Sequence, residues 1–240
     1  MNMTKPQKLK SDFHMHTSED PEDIFIRHSA TELIDKAAEC GFEVLAITLH
    51  NTRFYTSYLK DYAQDRGILL IPGMEATIEG KHILLINMDC DLSKIRKIQD
   101  LNRYTGEDTL IIAAHPFFPS PHCLGSKLES NIGVFNAIEY SHFYLDKINF
   151  NEKGRQIAAK YQLPMVGTSD THFLHQFNRT FSMVEADKEI GAVVEAIKKG
   201  RVEVVSQPLT PWYAITTYSA LKYKSLHRVK RKLKNLFQRF

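Results

Sequence analysis

The chain has 240 residues, 43% of them hydrophobic and 25% charged, proportions that exclude a disordered or fibrous protein. No apolar run reaches the roughly 18 residues that a membrane helix needs, and Met1–Lys10 has no apolar stretch of the kind a secretory signal requires, so a cytoplasmic protein without a transmembrane segment is expected. The net charge of +3 hides an asymmetry: residues 1–203 sum to −5, and the eight Lys/Arg beyond Glu203, with no acidic residue among them, make the rest +8.

In chain order, Leu9–Phe13 is a short apolar run that ends at His14. Ser29-Ala30-Thr31-Glu32 reads as a capping box opening a helix with Leu33, Ile34, Ala37 and Ala38 on one face and Gly41 just past its end. Strands are expected at Phe42–Leu49, Gly67–Ile71, His82–Met88, Thr109–Ala114, Val134–Glu139, Pro164–Gly167 and Val202–Ser206. Helical spacing marks Asn151–Tyr161 and Asp187–Lys199, the second closed by Gly200. Near-continuously apolar strands alternating with helices predict a parallel sheet covered on its faces. Cys40, Cys90 and Cys123 show no CxxC spacing and read as reduced thiols.

A composition break near Gln207–Pro211 separates a main domain, residues 1–208, from a tail, residues 209–240. Beyond Leu221 the residues Leu226, Val229, Leu233, Leu236, Phe237 and Phe240 recur every three or four positions, which predicts a basic amphipathic helix. Three roles are open to it: packing on the main domain, lying on anionic lipid, or gripping nucleic acid. Trp212-Tyr213 and the lack of a Gly/Ser linker favour packing, with contact to a polyanion as the alternative.

The histidines carry the chemistry. His14 and His16 follow Leu9–Phe13, His50 follows Val44–Leu49, Glu75 follows Ile68–Met74, His115 follows Leu110–Ala114, and Asp170 with His172 follow Pro164–Ser169. In a parallel sheet the C-terminal strand ends converge, so residues distant in sequence meet there. Repetition of imidazole and carboxylate at such ends is not a packing requirement. Imidazole with carboxylate suits Zn, Mn or Fe, and the two rings of an HxH pair project to the same side of an extended strand. Carboxylates such as Glu75 and Asp170 can bridge two ions about 3.5–4 Å apart, which acidifies water and clamps a phosphoryl group.

These residues resemble the PHP domain (polymerase and histidinol phosphatase). The resemblance rests on Asp12-Phe13-His14-Met15-His16-Thr17, Ile47-Thr48-Leu49-His50-Asn51, Gly73-Met74-Glu75, Lys81-His82-Ile83-Leu84, Ala114-His115-Pro116 and Thr168-Ser169-Asp170-Thr171-His172, in the family's order over most of residues 11–205. It implies an α/β fold, a distorted (β/α)7 TIM-like barrel here followed by the basic amphipathic helix. It further implies two to three divalent transition-metal ions (Mn, Fe or Zn) and phosphoester hydrolysis by a metal-bridged hydroxide. Carried over by position, His14, His16, Glu75 and Asp170 would hold one ion, while His50, His172 and an acidic residue after HxH would hold a second. Glu75 would bridge to a third with His82 and His115, and Asp170 and His172 are the residues assigned to catalysis. The acidic residue is assigned to Asp20, with Glu22 and Asp23 as alternatives and Glu19 too close. The family's TDHD pattern becomes Thr48-Leu49-His50-Asn51, which loses both aspartates and with them a group that would orient His50.

Arg179, shortly after the SDTH motif, and Arg53, three residues after His50, are the candidates to bind substrate phosphate. His142 either faces the site or is structural, His122 and Cys123 lie in a loop that could line the entrance, and His28, His175 and His227 read as structural or solvated. The substrate expected is a phosphorylated small molecule or a nucleotide or oligonucleotide. Two rivals stand beside it: hydrolysis of an amide or lactone as in amidohydrolases, against which the strand ends offer no bridging lysine, and a catalytically weakened PHP scaffold that binds a polyanion.

Overall fold

The structure, a computed structural model, describes residues 7–210 and 212–215; the expected basic helix beyond Leu221 lies outside the described residues. Among the described residues ten strands form: β1 (Lys8–Asp12), β2 (Val44–Leu45), β3 (Leu69–Leu70), β4 (Gly73–Ile78), β5 (Lys81–Ile86), β6 (Leu110–Ala113), β7 (Ala137–Ser141), β8 (Met165–Thr168), β9 (Thr180–Glu185) and β10 (Val202–Ser206). The α-helices are α1 (Ala30–Glu39), α2 (Ser57–Gln64), α3 (Lys127–Ser130), α4 (Asn151–Tyr161) and α5 (Ile190–Lys198). Among the described residues, one compact unit takes in the chain up to His142 and again Phe150–Gln207; the other comprises Phe143–Asn149 and the described residues from Pro208 onward. All the ligand candidates belong to the first.

The fold is mixed α/β, with two five-stranded sheets ordered β10-β9-β1-β2-β3 and β4-β5-β6-β7-β8. The all-parallel expectation is corrected. The pairs β1–β2, β2–β3, β6–β7 and β7–β8 are parallel, whereas β9 runs antiparallel to β1 and β10, and β5 runs antiparallel to β4 and β6. The β4–β5 hairpin turns at Glu79 (φ 50°) and Gly80 (φ 74°), the left-handed pair of a tight two-residue turn. This makes Gly73–Ile78 a strand in its own right and puts Glu75 inside it instead of at a strand end. β9 carries the alternating sequence TFSMVE. Its Ser182 faces inward and donates to the Gly167 carbonyl at 3.0 Å, so a small polar residue takes a core position and weakens the apolar signal.

The two sheets meet at two seams, each crossed by a single parallel bridge, His50↔Glu75 and Met15↔Thr171. Among the described residues the continuous ladders do not close into a barrel. Strands of both sheets nevertheless share one core of Leu9, Phe13, Val44, Ile71, Leu84, Ile112 and Val166, which α5 covers with Val193, Val194 and Ile197. Residues one step along the same strands turn outward: Ile83 and Leu85 pack under Leu128 and Ile157, and Leu45 and Ile47 pack under Leu33, Ile34 and Leu59. Both faces of the strands are buried, which explains their unbroken apolar runs.

Helix α1 begins as expected. The Ser29 hydroxyl accepts from the Glu32 amide at 3.2 Å, and the Glu32 carboxylate accepts from the Ser29 amide at 2.7 Å, while Gly41 follows the helix at φ 72°. No described helix is long and apolar enough to cross a membrane.

Candidate metal centre

Both seams fall on the expected ligand motifs. His14 and His16 leave the end of β1, and the amide of His16 donates to the Thr171 carbonyl at 3.0 Å. Beyond β2, His50 is held against β4, because the Asn51 amide donates to the Glu75 carbonyl at 2.8 Å and the Glu75 amide to the Leu49 carbonyl at 3.1 Å. His82 comes from β5, His115 follows β6, and Asp170 follows β8. His115 (φ 24°) and Asp170 (φ 44°) have left-handed backbones, a conformation that costs energy in residues with side chains and concentrates at functional sites.

Glu75 is the hub. Its Oε2 lies 3.0 Å from His50 Nε2, 3.4 Å from His16 Nε2 and 3.5 Å from His14 Nε2, while its Oε1 lies 2.7 Å from His82 Nδ1 and 3.2 Å from His115 Nε2. Asp170 Oδ1 is 3.3 Å from His14 Nε2, 3.4 Å from His16 Nε2 and 3.5 Å from His172 Nδ1. Three groups bring three donor atoms each within 4.8 Å of one another: His14, Glu75 and His115; His14, His16 and Asp170; His16, His50 and Glu75. The groups share members, as neighbouring ions with bridging ligands would require.

The remaining candidates surround these groups. Asp20 Oδ2 meets Nδ1 of both His16 and His50 at 2.9 Å and accepts from the His50 amide at 3.0 Å, so the orienting carboxylate that TLHN lacks is supplied by Asp20. Its Oδ1 accepts from the amides of Glu22 and Asp23. Asp23 Oδ2 lies 2.9 Å from His172 Nε2, and Glu22 turns away to accept from the Asn51 amide group at 2.7 Å. His122 stacks on His82 with ring centres 4.7 Å apart, Cys123 Sγ is 3.3 Å from His115 Nδ1, and His28 Nε2 bonds the His16 carbonyl at 2.9 Å. Arg53 stands exposed, its guanidinium 6.0 Å from the Tyr55 ring centre. Arg179 is half-buried, and burial together with its charge lowers the pKa of His175.

Three residues that hold the candidate ligands, Glu139, Asp12 and Gln176, escaped the sequence reading. Glu139, on β7, is fully buried and lies 2.7 Å from His14 Nδ1; it also accepts from the His115 amide and the Thr168 hydroxyl. Asp12 accepts from the amides of His14 and Ser169 at 3.2 Å, joining the HxH and SDTH turns; burial pushes its pKa up to about 7. The Gln176 side-chain oxygen accepts from the amides of His172 and Phe173 at 2.8 Å each, and its nitrogen lies 3.4 Å from Nε2 of His142. His142 is buried, which pushes its pKa down to about 4. Asp12 and Glu139 each precede or end an apolar run, and an acid inside such a run was the one available signal.

The electrostatics follow from burial and pairing. Burial disfavours the charged ring of His14, yet Asp170, Glu139 and Glu75 outweigh it and hold the pKa well above the usual value. The same competition raises His115, His172 and His50, the last to about 11. Burial wins at His82, whose pKa is lowered. Burial likewise opposes the charges of Glu75 and Asp170, and the surrounding rings overcome it and draw both well below the carboxylate range. Nε2 atoms of His14 and His16 only 3.2 Å apart, with Nδ1 of each turned to a carboxylate, form a nitrogen–oxygen donor set suited to Mn, Fe or Zn.

The family model described as PHP-associated matches residues 149–202. A protein from Bifidobacterium adolescentis assigned as a metal-dependent phosphoesterase shares the fold with a TM-score of 0.52 at 17% identity, over 70% of this chain and 90% of that one. The matched stretch and the shared fold make the chain similar to PHP proteins. The same fold is shared by PsfC from Pseudomonas syringae, with a TM-score of 0.59 at 16% identity over 91% of this chain and 98% of PsfC. An amidohydrolase from Chromobacterium violaceum, solved with bound sulfate and no metal, matches with a TM-score of 0.50 at 15% identity over 68% and 87% of the two chains. No curated protein sequence matches the chain. The buried cluster and these neighbours together fit a metal-dependent hydrolase.

Proposed function

We propose that this protein is a PHP-family member, a cytoplasmic metal-dependent phosphoesterase of the phosphatase or exonuclease type, acting on a phosphomonoester or a nucleotide-type substrate. The observation that carries the reading is the set of three overlapping donor groups around Glu75, His14 and His16. His14, His16, His50, Glu75, His115 and Asp170 would hold two to three divalent ions, with His82 and His172 at the flanks of the cluster. Bound there, Mn, Fe or Zn supplies polarisation of a phosphoryl oxygen and acidification of water. The chain's own residues do the rest: Asp20 fixes His16 and His50, Asp23 faces His172, and Glu75 offers a different oxygen to each side of the cluster. Asp20 is the acidic residue after HxH that belongs to the centre, as the carboxylate holding two rings.

Arg53 and Arg179 are proposed to meet substrate phosphate, since a guanidinium pairs two oxygens at once. The two sheets around their shared core are read as halves of one distorted (β/α)7-type barrel, residues 1–208, with residues 209–240 as a separate basic tail. A second reading, hydrolysis of an amide or lactone, draws on the amidohydrolase likeness. Turnover of a panel of phosphomonoesters, nucleotides, oligonucleotides, amides and lactones with added Mn or Zn tests both. Phosphoester turnover is expected; turnover of amides or lactones alone would replace the first reading with the second.

A further inference from the structure

We infer that Glu139 is the positioning residue of the centre, the group that decides which nitrogen of His14 faces the ions; the inference rests on the metal-centre reading above. An imidazole presents its two nitrogens on opposite sides, and the hydrogen bond at one selects the lone pair at the other. At His14, Nδ1 faces Glu139 Oε1 at 2.7 Å. Nε2 faces His16 Nε2 at 3.2 Å, Asp170 Oδ1 at 3.3 Å and Glu75 Oε2 at 3.5 Å. A carboxylate at Nδ1 takes the ring proton there and leaves Nε2 to coordinate. Glu139 itself stands on the far side of the ring from the donor groups, so it acts through His14 and not as a ligand.

Its reach extends to two further ligands. The His115 amide donates to Oε2, and the Thr168 hydroxyl, two residues before Asp170, donates to Oε1. One fully buried carboxylate on β7 thus ties together the chain segments leaving β1, β6 and β8, which deliver His14, His115 and Asp170. Both His115 and Asp170 have left-handed backbones, a conformation that persists only where surrounding contacts over-determine it. A carboxylate in an apolar strand is costly unless fully paired, and every partner of Glu139 named here lies at the metal centre.

The test compares Mn²⁺ binding by full-length wild type, Glu139→Gln and Glu139→Asp, together with the melting temperature of each after chelation. Glu139→Gln keeps the shape, removes the charge and offers an N–H where an acceptor is needed. Its Mn²⁺ affinity is expected to fall roughly 10–100-fold, with Glu139→Asp recovering part of the loss. Equal affinity in wild type and Glu139→Gln would overturn the inference and leave the metal centre standing, whereas a wild type that binds neither Mn²⁺ nor Zn²⁺ overturns both. If Glu139→Gln fails to fold, long-range ¹H–¹⁵N spectra of Zn²⁺-loaded wild type decide: a proton on Nδ1 of His14 supports the inference, and one on Nε2 refutes it.

Discussion

At the residue scale, an ion at the proposed centre would compete with protons. His14, His50, His115 and His172 all have raised pKa values, because neighbouring carboxylates outweigh the burial that opposes their charge. In chelator-treated protein these rings hold their protons to higher pH than a free imidazole, and an ion must displace them, so apparent metal affinity should rise with pH. Calorimetric titration in two buffers of different ionisation enthalpy should therefore give different heats; identical heats would show that the rings are already neutral. The same pairs shape stability without metal. The contribution of His50 is fully present below its ordinary pKa of 6.5 and is lost as pH rises toward about 11, and that of Glu75 is present above 4.5 and is lost as pH falls. Chelated protein should be most stable between about pH 4.5 and 6.5, which thermal melts across that range would read. Replacing His14 or Asp170 with alanine should cost phosphoester turnover several powers of ten, as loss of one member of a catalytic unit does, with circular dichroism unchanged. Turnover that survives in either variant would make the cluster structural.

At the element scale, the ligands depend on how closely neighbouring strands approach. A Cβ built on Gly167, in β8, would lie 2.6 Å from the Phe181 carbonyl oxygen of β9 and 3.0 Å from a Val204 methyl of β10. Gly167→Ala must push β8 away from β9, and β8 leads directly to Asp170. Chemical denaturation should show a loss of about 1–3 kcal/mol, together with weaker metal binding; unchanged stability would mean that the strands separate freely. Helix α1 provides a contrast, because its cap residues Ser29 and Glu32 bond each other and none of the donor atoms. Ser29→Ala removes the acceptor for the Glu32 amide and should cost about 1 kcal/mol while leaving metal affinity as it was.

At the scale of the whole molecule, each sheet supplies part of the ligand set. His14, His16 and His50 issue from the strands of one sheet, and Glu75, His82, His115 and Asp170 from those of the other. Neither sheet alone offers the overlapping groups, so the centre and the packing of the two sheets around Phe13, Ile71 and Leu84 stand together. Elemental analysis of protein purified without chelator should find two to three transition-metal ions per chain; less than one, not restored by added Mn or Zn, would end the multi-metal reading. Among the described residues every donor of the cluster lies between His14 and His172, so deleting residues 221–240 should leave that stoichiometry intact even if the eight-charge tail serves a separate purpose.

The sequence by itself determined the local and the repeated features. A capping box depends on residues three apart, a buried strand announces itself as an apolar run, and α4 begins and ends where its periodicity does. Motifs at successive strand ends were legible for the same reason: each imidazole or carboxylate interrupts an apolar context at short range. What tertiary structure decided was pairing direction and the division of labour among the acids. Direction at β4 and β9 turns on a tight hairpin and on an inward-facing serine, neither of which alters local hydropathy in a telling way. The role of Asp20 against that of Asp23 depends on which ring nitrogen each reaches, a choice made by rings arriving from 30 and 149 residues away. Glu139 meets His14 across 125 positions, and its charge is tolerable only because folding brings that ring to it; no pattern along the chain encodes such a meeting.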